Sequence, residues 1–144
     1  MEADKKPIIT VEVVVAVPRA KAWKAWTTPE DILQWNHASD DWHSTHAEND
    51  LKAGGSFLYR MEAKDGSFGF DFYGTYDNII TEQLIEITLG DERKVQVHFR
   101  EDGSNTKITE TFEAESENPL ELQQFGWQAI LNNFKKVAES GLKK

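Results

Sequence analysis

The 144 residues carry 16 basic and 25 acidic side chains, a formal charge of −9, and no cysteine. That balance argues against nucleic acid or an anionic membrane as the main partner, because both select clustered Lys and Arg. The missing thiols exclude disulfides, thiolate catalysis and Cys-ligated metal centres. The length suits one domain over residues 1–144, and 39% hydrophobic with 28% charged residues is a folded composition. No apolar run nears the ~20 residues of a membrane span. Residues 1–5, Met-Glu-Ala-Asp-Lys, lack a signal-peptide core, so a cytoplasmic location is expected.

Residues 8–17 are rich in β-branched side chains and predict a strand in which Val11, Val13 and Val15 share a face. Pro18 ends it and opens a short helix over 20–26, with Trp23 and Trp26 on one side. A second short helix follows, with Thr28 as cap, Pro29 in the first turn and Glu30 and Asp31 at the positive end of its dipole. From residue 43 to 114 the chain reads as about six strands. They are separated by turn signals at 52–55, 64–67, 89–92 and 101–105. Phe57 and Tyr59 alternate with Leu58 and Arg60, Phe70 and Phe72 with Asp71 and Tyr73, and Val97 and Phe99 with His98 and Arg100. Period-two alternation means an antiparallel sheet with one buried and one wet face.

Residues 119–139 predict a long helix, with Asn118 as cap, Pro119 in the first turn and Gly141 as stop. On a helical wheel Leu122, Gly126, Ala129, Ile130, Asn133 and Val137 share the inward face, with Gln124, Gln128 and Lys135 opposite. An antiparallel sheet with one apolar face needs a cover, and this helix is the element long enough to supply it. The expected architecture is α+β, in the order β-α-α-β6-α: a curved antiparallel sheet of six to seven strands gripping the C-terminal helix.

Several motifs in this order resemble one family. They are the opening strand followed by Trp23-Lys24-Ala25-Trp26-Thr27, the segments 54–62 and 69–76, and Gly126-Trp127-Gln128-Ala129-Ile130 with Leu131-Asn132-Asn133-Phe134. The chain is similar to the helix-grip superfamily (START-like, Bet v 1-like, SRPBCC). Its branch is that of bacterial proteins resembling the C-terminal domain of the activator of Hsp90 ATPase. The resemblance covers nearly the whole chain. It implies the helix-grip fold and a cavity between sheet and helix. The superfamily includes lipid and hormone carriers and polyketide cyclases, so the fold does not choose among functions.

The helix fits such a cavity, because Gly126 and Ala129 are small and Asn133 is polar where a tight contact would use Leu or Ile. The alternative is that Gly126 lets Phe72 or Trp127 approach the helix backbone. Expected cavity residues are Trp127 and Ile130 beside Gly126 and Asn133 on the helix, with Tyr59, Phe70, Phe72, Val97 and Phe99 on the sheet. Trp35, with His37 and Trp42, flanks the loop after the second helix as a candidate aromatic lid or as a cluster pinning that loop. Glu110 lies between Ile108 and Phe112, where alternation points it inward. A carboxyl there is paired, protonated or wetted, with Asn133, Tyr59 or water as partner. Alternatively it reaches solvent at the mouth, or a bulge turns it outward.

No metal site is expected. His43 and His46 fall on opposite faces of a regular strand, and no standard ligand spacing occurs. No nucleophile elbow or phosphate loop is present, and no cofactor is expected. The leading expectation is a binding protein for a small apolar or amphipathic ligand. A second is an enzyme of the cyclase or dehydratase kind with Glu110 as acid or base. A third is a co-chaperone of an Hsp90 homologue. The large N-terminal domain of the full activators is not expected within these residues, which places the co-chaperone behind the others. The oligomeric state stays open.

Overall fold

A computed structural model describes residues 7–140. Residues 1–5 and the stop expected at Gly141 lie outside them. β1 (Ile8–Val15) leads into α1 (Arg19–Thr27) and α2 (Pro29–Trp35). Then come β2 (Trp42–Asn49), β3 (Ser56–Ala63), β4 (Gly69–Ile80), β5 (Leu84–Leu89), β6 (Lys94–Asp102) and β7 (Asn105–Glu113). α3 (Leu120–Glu139) closes the order. The seven strands form one curved antiparallel sheet in the order β1-β7-β6-β5-β4-β3-β2. β2 to β7 are a meander, and β1 adds at the β7 edge.

Local chemistry sets these elements. Pro18 holds extended backbone just before α1, and the buried Thr106 hydroxyl donates to Val17 O at 2.8 Å, fixing the corner between β1 and α1. Pro29 stands in the first turn of α2 as expected, but Thr28 makes no side-chain cap. Its N–H instead closes α1 on Lys24 O at 3.0 Å. A bulge between Ser44 and His46 shifts the β2 register, pairing His43 with Glu62 and His46 with Arg60. The two histidines therefore share the outer face, where a regular strand would have split them.

The inner face alternates as the sequence predicts, with Phe57 opposite Gly74, Tyr59 opposite Phe72 and Met61 opposite Phe70. One end of the fold is plugged by rings. Trp23 and Trp26 lie 5.1 and 5.8 Å from Phe99 between centroids, and Phe134 of α3 stands 4.9 Å from Trp26 and 5.0 Å from Trp35. The Trp35 indole donates to Ala25 O at 3.0 Å, which ties α2 to α1.

α3 covers the sheet with a face different from the expected one. Gln123, Leu131, Phe134 and Ala138 are its buried residues, and Trp127 and Ile130 pack beside them. Leu122, expected inside, is exposed. The offset is one residue, or about 100° of rotation. Its cause lies at β1, the edge strand. Gln124 donates to Thr10 O at 3.4 Å, Gln128 to Glu12 O at 3.1 Å and Lys135 to Val14 O at 2.8 Å, while Ala16 N–H donates to Glu139 at 2.8 Å. The polar stripe that reads as a wet face is thus spent on the unpaired backbone of an edge strand. Nor is Asn118 a helix cap. The Gln123 amide instead pins the preceding loop to the helix, accepting from Glu115 N–H at 2.9 Å and donating to Asn118 O at 2.8 Å.

Gly126 sits in the middle of this helix, and a Cβ built on it meets no atom within 4 Å. It is therefore not needed for close approach of Phe72. Gly126→Ala should raise stability by roughly 0.5–1 kcal/mol through helix propensity alone. Urea unfolding checks this, and a loss of stability would show that the position is more crowded than its surroundings indicate.

Candidate functional site

Between α3 and the inner face lies a cavity of about 310 Å³. That is near the lower end of the ~300–1,000 Å³ of small-ligand sites. It exists because α3 leans on β1, leaving the β3–β6 part of the sheet without a tight cover. Val95 and Val97 of β6, Ile85 and Ile87 of β5 and the rings of Phe72 and Tyr76 on β4 form the floor. Phe57 and Tyr59 of β3 continue it, Trp127 and Ile130 form the roof, and Trp26 and Trp35 close the plugged end. Trp127 is itself held, stacked on Phe112 at 3.8 Å and edge-on to Phe72 at 6.0 Å.

Glu110 points into this space. In β7 it pairs with Val11 on one side and Val97 on the other, between the buried Ile108 and Phe112. No bulge interrupts either register, so the inward reading of the sequence holds. Among the described residues none hydrogen-bonds its carboxyl, and neither Tyr59 nor Asn133 is its partner. Burial without a compensating charge pushes its pKa from 4.5 up to about 8, so the acid is mostly protonated at neutral pH. A second polar group in the wall is also unmatched. Asn36, 5% exposed at the end of α2, has an Nδ2 without a hydrogen-bond partner. Across the floor the hydroxyls of Tyr59 and Tyr76 converge with the Asn49 side chain, and desolvation raises both phenols above their ordinary range.

At the other end stand Met61 and Phe70 of the β3–β4 hairpin, Arg93 of the β5–β6 turn, and Glu115 and Gln123 before and within α3. Phe70 is 40% exposed and forms part of this rim with Trp42 and Phe68, at 6.0 and 6.3 Å. Its side chain is on the predicted face but is less enclosed than expected. Arg93 donates to Asp91 at 2.8 Å and to Glu113 O at 3.3 Å.

Three of the expected cavity residues lie elsewhere. Phe99 belongs to the ring plug, 2% exposed behind Trp26. Asn133 turns toward the α2 end, donating to Trp35 O at 3.0 Å and meeting His37 Nε2 at 3.1 Å. Gly126, next to the roof, leaves a gap and not a wall. The rotation of α3 accounts for the last two. The proposed lid of Trp35, His37 and Trp42 is also divided, since Trp35 is core, His37 serves Asn133 and Trp42 stands on the rim. Besides further inner-face strand positions such as Tyr76, Ile85, Ile87 and Val95, sequence reasoning missed Trp26, Asn36, Arg93, Glu115 and Gln123 in the lining. Trp26 could have been found from its spacing with Trp23, whereas the other four depend on loop and helix placement. Among the described residues no group of three or more His, Asp or Glu side chains converges as a metal site.

The comparisons agree with this architecture. A family model described as activator of Hsp90 ATPase homolog 1-like protein matches residues 16–139. The solution structure of an AHSA1-like protein from Aeromonas hydrophila is 40% identical, over 95% of this chain and 96% of that one, with a TM-score of 0.88. The solution structure of the protein Chr148 from Cytophaga hutchinsonii is 53% identical over 92% of each chain, with a TM-score of 0.80. A protein from Nitrosomonas europaea, 18% identical over 93% of this chain and 95% of that one, shares the fold with a TM-score of 0.79. No curated protein matches the chain significantly. With the same helix-on-sheet order and high identity along nearly its whole length, the chain belongs to the activator of Hsp90 ATPase homolog 1-like family of helix-grip proteins.

Proposed function

We propose that this protein binds a small apolar or amphipathic molecule in the cavity beneath α3. The observation that carries the reading is a space of about 310 Å³ whose walls are mainly aliphatic and aromatic, with an unpaired Glu110 carboxyl in them. Apolar walls with a few polar groups are the ordinary composition of a ligand site, and a buried polar atom without a partner is where a ligand's own polar atom fits.

The neutral fluorophore N-phenyl-1-naphthylamine tests this. Wild-type protein should raise its emission in a saturable way. Ile130→Trp, which fills the roof, should weaken binding at least tenfold while far-UV circular dichroism stays unchanged. Absence of a saturable signal from wild-type protein, or equal affinity in the folded variant, would overturn the reading.

One observation supports an enzymatic reading beside it. An acid with a pKa of about 8 in a mainly apolar pocket is suited to proton transfer near neutrality. Under that reading Glu110→Gln abolishes turnover in a screen of cyclisable and dehydratable substrates, and binding alone would leave no turnover to abolish. An Hsp90 homologue is a partner suggested by the family's description. Pull-down against the host's homologue tests it separately from the cavity.

A further inference from the structure

We propose that the cavity selects a positively charged ligand, an apolar amine whose ammonium lies against Glu110 among the lining rings. This rests on the ligand-binding reading above and specifies the chemistry of its occupant.

The geometry favours a cation at three levels. First, Glu110 is the acidic side chain aimed into the aromatic floor and roof, and no described residue hydrogen-bonds it. The strands on both sides offer only apolar neighbours at that level, Val11 and Val97. On α3, the facing residues are Trp127 and Ile130. The remaining titratable groups of the lining are Tyr59 and Tyr76 across the floor and Arg93 and Glu115 at the rim. None of them supplies a charge that alters Glu110, whose perturbation comes from burial alone. The described residues therefore supply no countercharge for an ionised Glu110, and one would have to arrive with the ligand.

Second, the rings suit a cation. Phe112 already stacks on one face of Trp127, so the cation would meet the other rings of the lining, Phe57, Tyr59, Phe72 and Tyr76. A ring face presents negative potential to an ammonium group, an attraction that strengthens when water is excluded. Third, the cation at the rim is offset. Arg93 pairs with Asp91 and stands near Glu115, and the whole chain carries −9. That field draws cations to the opening and repels anions.

The proton balance follows from the same picture. The amine enters as an ammonium, since a primary amine stays charged to a pH of roughly 10. Glu110 passes its own proton to solvent when the ion pair forms. Binding near neutrality thus releases a proton, and affinity rises with pH until the free acid is ionised.

Decylamine, decanol and decanoate share one tail and differ in head-group charge, so they separate the terms. At pH 7.5, below their aggregation concentrations, decylamine should bind at least tenfold more tightly than decanol, and decanoate most weakly. Between pH 6 and 7.5 decylamine affinity should rise roughly tenfold per pH unit while that of decanol stays flat. Calorimetry in phosphate and in Tris at pH 7 should show close to one proton released per amine. In Glu110→Gln, with the fold checked by circular dichroism, the amine-to-alcohol ratio should fall to about one. Decanol or decanoate binding wild-type protein as tightly as decylamine would overturn the charge inference and leave the ligand reading standing. So would an amine preference that survives in Glu110→Gln. If none of the three binds, the ligand reading itself fails.

Discussion

Wild-type protein should lose stability as pH rises from about 5 to 9, and Glu110→Gln should remove most of that loss. The Glu110 pKa is about 8 in the folded chain against an ordinary 4.5. Between those values the folded state holds a proton that the unfolded state has released, so its contribution is full below pH 4.5 and is lost as pH climbs through 8. At about 1.4 kcal/mol per pH unit the interval sets an upper bound of roughly 4–5 kcal/mol, which water reaching the half-buried carboxyl lowers. Glutamine has the shape of the neutral acid and cannot ionise. His37, held below its usual range mainly by burial and then by Lys64, acts in the opposite sense, losing stability as pH falls, and is common to both proteins. Urea unfolding of the two proteins at pH 5, 7 and 9 provides the measurement. Parallel stability profiles would mean that the carboxyl finds water or a counter-ion in the folded state.

Phe99→Ala should cost roughly 3–5 kcal/mol. Phe99 is 2% exposed and stands where β6 meets both Trp23 and Trp26 of α1. Trp26 in turn supports Trp35 and Phe134, so the void cannot be filled by one small movement. The loss should appear as a lower urea midpoint with an unchanged denaturant slope. A cost below about 1 kcal/mol would show that the plug repacks and that α1 is only loosely held.

The strands were legible because their alternation is strict. The inward direction of Glu110 followed from its neighbours Ile108 and Phe112, and β7 keeps its register without a bulge. Legibility failed where a side chain's partner lies far along the chain. Gln124, Gln128 and Lys135 look like a solvent-facing stripe until β1 is placed beside them, and the resulting rotation of α3 moved Gly126 and Asn133 out of the cavity. The turn between β4 and β5 contains no glycine. Its left-handed residue is Glu82, with φ 64°, so composition gave no signal for it. Phe99 was assigned to the correct face, but a face does not say whether the neighbour across it is a void or a tryptophan.

The contact between α3 and the edge of β1 bears on how the chain is made. β1 begins at Ile8, yet its partner strand starts at Asn105, and the side chains that cap its other edge come from Gln124 to Glu139. A nascent chain therefore exposes a valine-rich strand with neither edge occupied until β7 has emerged, and with one edge still bare until α3 follows. The meander can form before that, since each of its pairings joins neighbours in sequence, whereas closure of the first strand is among the longest-range events available to this chain. The late helix thus completes the sheet as well as the cavity. A protein truncated before Gln124 would keep its hairpins and present a sticky strand to any chaperone or second copy nearby.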